Sequence, residues 1–157
     1  MEKSYKVEMI LIAVILAVLL FSILSLNNFS LTGFFTEEKV NAPSSHISEG
    51  DIIASKGNVI INVSNLILTR YVNSDSMAPL LGNGAMGIEI IPTSKEDIHV
   101  GDVVTFRRDD ILIAHRVVEI GSDEDGGYFI TKGDNNNAED DKIRFEQIES
   151  VLVGVIY

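Results

Sequence analysis

The 157-residue chain contains no cysteine and no tryptophan, only three histidines, and 12 Lys and Arg against 23 Asp and Glu, for a formal net charge of −11. Without cysteine there is no disulfide framework, no thiolate nucleophile and no Cys-based zinc site. Three histidines scattered at His46, His99 and His115 argue against a multi-histidine metal centre, and no cofactor-binding motif stands out. The shortage of cations argues against a nucleic-acid partner, because phosphates are neutralised by clustered Lys and Arg. Any chemistry must therefore rest on hydroxyls, carboxylates, lysines or a single histidine.

Apolar residues are abundant but unevenly placed. No charged residue occurs from Ile10 to Leu26, and residues 7–26 include only Glu8. Twenty residues at 1.5 Å each give about 30 Å of helix, the thickness of a bilayer's hydrocarbon core. A cleaved signal peptide would have a shorter apolar run and a small-x-small site, whereas Ser25-Leu26-Asn27-Asn28-Phe29 has no Ala-x-Ala. A buried core helix would show a polar face at 3.6-residue spacing, and residues 10–20 show none. The stretch is therefore expected to be a single transmembrane anchor. Lys3, Lys6 and the α-amine precede it, and the next basic residue after Leu26 is Lys39, so the N-terminus is expected in the cytoplasm with the rest across the membrane. About 130 residues remain, the size of one domain with a real core.

That division gives a cytoplasmic N-terminus (1–6), an anchor (7–26), a connector (27–49) and a β-rich domain (50–157). The connector is punctuated by Asn, Ser, Gly and Pro43, and its apolar residues at 31–35 suit a membrane interface. Short β-branched runs bounded by Gly, Asp, Asn or Ser predict strands at 59–63, 66–72, 85–91, 102–106, 112–120, 128–131 and 151–156. Helical turns are expected near 77–81 and 144–148. The fold class is mainly β, a compact barrel or folded sheet assembly.

Three segments draw chemical interest. In Ser74-Asp75-Ser76-Met77-Ala78-Pro79 the proline disfavours helix at Ala78 and bends the chain, which would expose Ser76 at a corner; an ordinary polar turn reads the same way. Gly101-Asp102-Val103-Val104 is followed by Ala114-His115-Arg116-Val117, where an imidazole inside an apolar strand needs a hydrogen-bond partner or a task. Lys132-Gly133-Asp134-Asn135-Asn136-Asn137-Ala138-Glu139-Asp140-Asp141 reads as a solvated acidic turn or a weak calcium loop of Asp and Asn oxygens, although the spacing of an EF-hand loop is missing.

Together, in this order and behind an oriented anchor, these segments resemble the type I signal peptidases of the archaeal and endoplasmic-reticulum branch, over the anchor and most of residues 72–155. The resemblance implies a signal-peptidase-like β-fold with Ser76 as nucleophile and His115 as general base. It further implies Asp134 and Asp140 as carboxylates supporting the base, with Asp141 as the rival to Asp140 if the loop shifts by one residue. The oxyanion hole would be formed by Ser74 Oγ and the Ser76 backbone N–H. These roles are chemically coherent: a serine hydroxyl needs a base to take its proton, and a histidine steadied by a carboxylate suits neutral pH. The implied activity is a serine endopeptidase that removes signal peptides after small-x-small residues, with no metal or cofactor. The implied partners are preprotein signal peptides, the bilayer and the translocation channel. The implied place is the cell membrane, single-pass, with the catalytic domain outside the cytoplasm. Met77, Leu80 and Ile113 are candidates to line its side-chain pockets. A related processing peptidase with one specific target, or a non-catalytic surface β-domain, are the competing readings. Residues 27–72 exceed what a minimal member needs; 51–72 would add strands or bind a partner.

Overall fold

The computed structural model describes Met9, residues 14–19, residues 40–72 and residues 74–157. Most of the expected anchor at 7–26, its flanks at 1–6 and the connector up to residue 39 lie outside the described residues. Met9 and residues 14–19 are helical. Among the described residues no helix is long and apolar enough to cross a membrane.

Residues Val40–Tyr157 form one compact, mainly β unit. A two-stranded hairpin, β1 (Ile52–Ser55) and β2 (Asn58–Ile61), stands as its own sheet. The other six strands are β3 (Leu66–Arg70), β4 (Met86–Ile90), β5 (Val103–Arg108), β6 (Ile111–Asp123), β7 (Gly126–Lys132) and β8 (Ile148–Ile156). They pair antiparallel in the order β3-β4-β8-β5-β6-β7. Residues 51–72 thus divide: β3 extends the main sheet, while β1 and β2 remain outside it. β8 lies between β4 and β5, and its consecutive Val151 and Leu152 enter two different cores.

Strand alternation builds two cores, because neighbouring residues point to opposite faces. Val104, Phe106, Val117, Phe129, Ile143 and Val151 belong to the larger core, and Val103, Leu152, Met77 and Leu81 to the smaller. Fully burying a side chain of this kind contributes about 1.5–3 kcal/mol. In β4 the pattern runs against hydropathy: Glu89 is fully buried while Ile88 and Ile90 are only partly so. Its carboxylate accepts from the hydroxyls of Tyr71, Thr105 and Ser150, which offsets the cost of desolvating it. Burial, followed by the bond to Glu89, pushes the Tyr71 hydroxyl well above the usual phenol range.

The domain begins earlier in the chain than residue 50, and one carboxylate explains why. Asp102, fully buried, accepts from Ser44 N (2.7 Å), Ser44 Oγ (2.8 Å), His99 N (2.8 Å) and His46 Nε2 (3.0 Å). Burial works to raise this carboxyl, but the two backbone donors, the Ser44 hydroxyl and His46 hold it below the ordinary range. Beside it the chain passes so close that a Cβ on Gly101 (φ +106°) would lie 2.2 Å from Ala42 O. Only glycine fits there. Residues 40–48 are therefore strapped onto the sheet.

Candidate active site

After β3 the chain enters a one-turn 3-10 helix, Asp75–Met77, a little ahead of the helical turn expected at 77–81. Ser74 caps it: its Oγ accepts from Ser76 N at 3.4 Å and lies 3.0 Å from Ser76 Oγ. The turn stops at Ala78, which is extended (φ −65°, ψ 142°) as the residue before a proline prefers. Met77 is buried against Leu81, Val103 and Leu152, so the turn is plugged into the smaller core while Ser74 stays exposed.

The acidic loop after β7 grips this turn from the other side. Asn135 N donates to Ser76 O (2.8 Å), Asn135 Nδ2 to Asp75 O (3.0 Å), and Asp134 N to Met77 Sδ (3.4 Å). Gly133 permits the approach, because a Cβ there would sit 2.6 Å from Ser76 O. The loop is closed at its far end by Asp140 N to Thr131 O (2.7 Å) and by paired Phe129 and Ile143 backbones.

His115 sits in β6 opposite Val104 and is 6% exposed. Its Nδ1 lies 2.6 Å from Asp140 Oδ2. An ionised carboxylate can only accept, so Nδ1 carries the proton and Nε2 is left as the basic nitrogen. Thr131 Oγ1, fully buried, donates to the same Asp140 oxygen at 2.7 Å. Ser76 and His115 line one cleft of about 370 Å³, together with Tyr71, Met77, Ile113 and Ala114. Within it Ser76 Oγ is bonded to Ser74 Oγ rather than to the imidazole. Leu80 is elsewhere: it lines a second groove with Pro43, Val103 and Leu152.

The two loop aspartates go to different partners. Asp134 receives a bidentate pair from Arg116, with Nε at 2.8 Å and Nη2 at 2.7 Å, and is not bonded to His115. The reason lies in the strand: His115 and Arg116 are consecutive, so they face opposite sides of β6 and each draws its own carboxylate. Arg116 Nη1 also donates to Gly101 O (2.7 Å), which ties the loop to the sheet. Asp141 is exposed and is engaged through its carbonyl, by Arg108 Nη2 at 3.1 Å. Among the described residues no three His, Cys, Asp or Glu side chains are grouped to hold a metal ion.

Sequence reasoning singled out the loop for its aspartates and missed Gly133 and Asn135 as the residues that grip Ser76. The run Lys132-Gly133-Asp134-Asn135 held that signal, since a glycine before amide side chains suits close backbone approach. Thr131, Arg108 and the Arg116 pairing offered no comparable cue.

No family model matches the chain. Over 72 residues it is 39% identical to signal peptidase I W of Bacillus subtilis, covering 45% of this chain and 38% of that protein. Over 74 residues it is 40% identical to the signal peptidase complex catalytic subunit sec11 of Dictyostelium discoideum, covering 44% of this chain and 39% of that protein. Each match thus spans about two fifths of the relative's length.

Proposed function

We propose that the chain is a membrane-anchored serine endopeptidase that removes N-terminal signal peptides from exported preproteins, cutting after small-x-small residues. The observation that carries this reading is the His115–Asp140 pair, 2.6 Å apart, whose His115 lines the cleft that also holds Ser76. The likeness to two proteins named as signal peptidases supports the substrate class.

In this mechanism Ser76 Oγ turns from Ser74 towards His115 Nε2, loses its proton there and attacks the scissile carbonyl. The Ser76 N–H and Ser74 hydroxyl, now joined to each other, turn to the developing oxyanion, where one such donor is worth about 3–4 kcal/mol. His115 then protonates the leaving amine, and water repeats the sequence on the acyl-enzyme. Asp140 holds the imidazole in the required tautomer. Asp134 acts at a distance, by keeping the loop on Ser76.

The anchor at 7–26 enters as part of the proposal, with residues 1–6 in the cytoplasm and the catalytic unit outside it. Tethering beside the bilayer raises the effective concentration of a substrate whose cleavage site emerges from the translocation channel there.

The test is incubation of the full chain with a preprotein, followed by mass measurement of the products. The expected outcome is one cut after a small-x-small sequence, reduced by at least about 10³-fold in Ser76→Ala and in His115→Ala with the fold retained. Absence of a cut by the unaltered chain, or normal cutting by either variant, overturns the proposal.

A further inference from the structure

Arg108 ends β5 and has no part in the chemistry described so far, yet it closes a circuit around the base. Its Nη1 lies 3.9 Å from Asp140 Oδ1, and its Nη2 donates to Asp141 O at 3.1 Å. The guanidinium carbon stands 5.5 Å from the centre of the Phe106 ring. Phe106, fully buried, meets the His115 ring edge-on at 6.3 Å and 61°. His115 returns to Asp140 through Nδ1. Strand geometry produces this ring of contacts: Phe106 and Arg108 are two apart on one face, and the pairing Val104↔His115 puts the imidazole beside them.

The two oxygens of Asp140 therefore have different tasks. Oδ2 accepts from His115 and Thr131, while Oδ1 faces a cation. A carboxylate next to imidazole favours the protonated ring, and a guanidinium behind that carboxylate opposes it. We propose that Arg108 is a positioning residue for the general base: it fixes the outer oxygen of Asp140 and limits how strongly that carboxylate raises the proton affinity of His115.

The remaining charges around His115 leave this part to Arg108. On β6 the neighbouring Arg116 is matched by Asp134, and on β7 Lys132 lies across the strand from Arg116. Arg107, next to Arg108 on β5, pairs with Glu149. In the loop, Glu139 and Asp141 are exposed. The element carrying Ser76 contributes the exposed Asp75. Arg108 is itself only 31% exposed, so its charge is partly shielded from solvent.

The inference rests on the serine-peptidase reading, and the experiment separates the two. The full chain in detergent, labelled with ¹⁵N-histidine, is titrated by NMR, with the His115 signal assigned by its loss in His115→Gln. In parallel the pH dependence of preprotein cleavage is recorded. In Arg108→Gln the imidazole titration and the acid limb of the rate profile both move up by about half a pH unit. Arg108→Lys, which restores the charge without the fork, keeps the wild-type midpoint. Arg108→Met leaves an apolar stem over Phe106 and gives the same upward shift, should the amide variant not fold. Unchanged midpoints in Gln and Met, or a downward shift, overturn the inference, because a role limited to holding the loop lowers the rate at every pH. Absence of cleavage by the unaltered chain defeats the peptidase reading alone, and the NMR titration still decides the role of Arg108.

Discussion

At the scale of single residues, the site turns on which aspartate reaches which cation. Asp140 and Asp141 are adjacent and chemically identical, but only Asp140 meets His115, because the bond from Arg108 to Asp141 O and the bond from Asp140 N to Thr131 O set the loop's register. Under the proposed mechanism, Asp140→Asn lowers kcat by about 10³–10⁴-fold, the effect of losing the carboxylate that fixes a catalytic histidine's tautomer. Asp141→Asn changes it by no more than about threefold, since its side chain is exposed. Single-turnover cleavage by the two variants checks this, and equal losses would show that the register is wrong. The Asp134 assignment is where residue-level reading fell short. From sequence the two carboxylates had one common role, and only the opposed directions of His115 and Arg116 along β6 separate them.

At the scale of elements, seven of the eight strands among the described residues were legible, because each is a β-branched run between turn formers. β1 was not, since Ile52-Ile53-Ala54-Ser55 is four residues long and pairs only with β2. The corner bearing Ser76 was legible through Pro79, but the grip on it was not, because the hydrogen bonds from Asn135 to Ser76 O and Asp75 O span about 60 residues of chain and leave no local pattern. The face assignment of β4 was also hidden: alternation of Ile88 and Ile90 suggests that their face alone is buried, and Ile90 does pack against the larger core, but Glu89 on the other face is fully buried, sustained by three hydroxyls from β3's end, β5 and β8. The grip is testable through its glycine. Gly133→Ala pushes a methyl to 2.6 Å from Ser76 O, so the turn and loop must part. A shift of 1 Å in a reacting group costs on the order of 10²-fold in rate. The expected result is that loss with a melting temperature little changed, measured by cleavage and by calorimetry. Full activity would show that the loop does not position Ser76.

At the scale of the whole molecule, residues 40–48 belong to the compact β unit, which composition did not reveal because their Ser, Pro and Asn content is that of a linker. Their attachment depends on one buried charge. A chain beginning at Val40 keeps the unit intact, whereas one beginning at Gly50 strips Asp102 of Ser44 and His46 and is less stable. The pH dependence has a definite sign. Because the folded carboxyl is held below its unfolded value of about 3.9, the strap's contribution is complete above that pH and fades as pH falls through the folded value. In denaturant melts the stability gap between the two chains should therefore narrow as pH falls below about 4. A gap as wide at pH 2 as at pH 4 would assign the strap to packing instead.

The position of β8 has a consequence for the order of events in synthesis. Ser76 follows β3, and His115 lies on β6; within the sheet these two halves are joined only through Ile148–Ile156. A ribosome that has delivered residues 1–147 has made Ser76 and His115 but not the strand that joins their halves of the sheet. Under the proposed function, the nascent chain is therefore inert until residues 148–156 have been made.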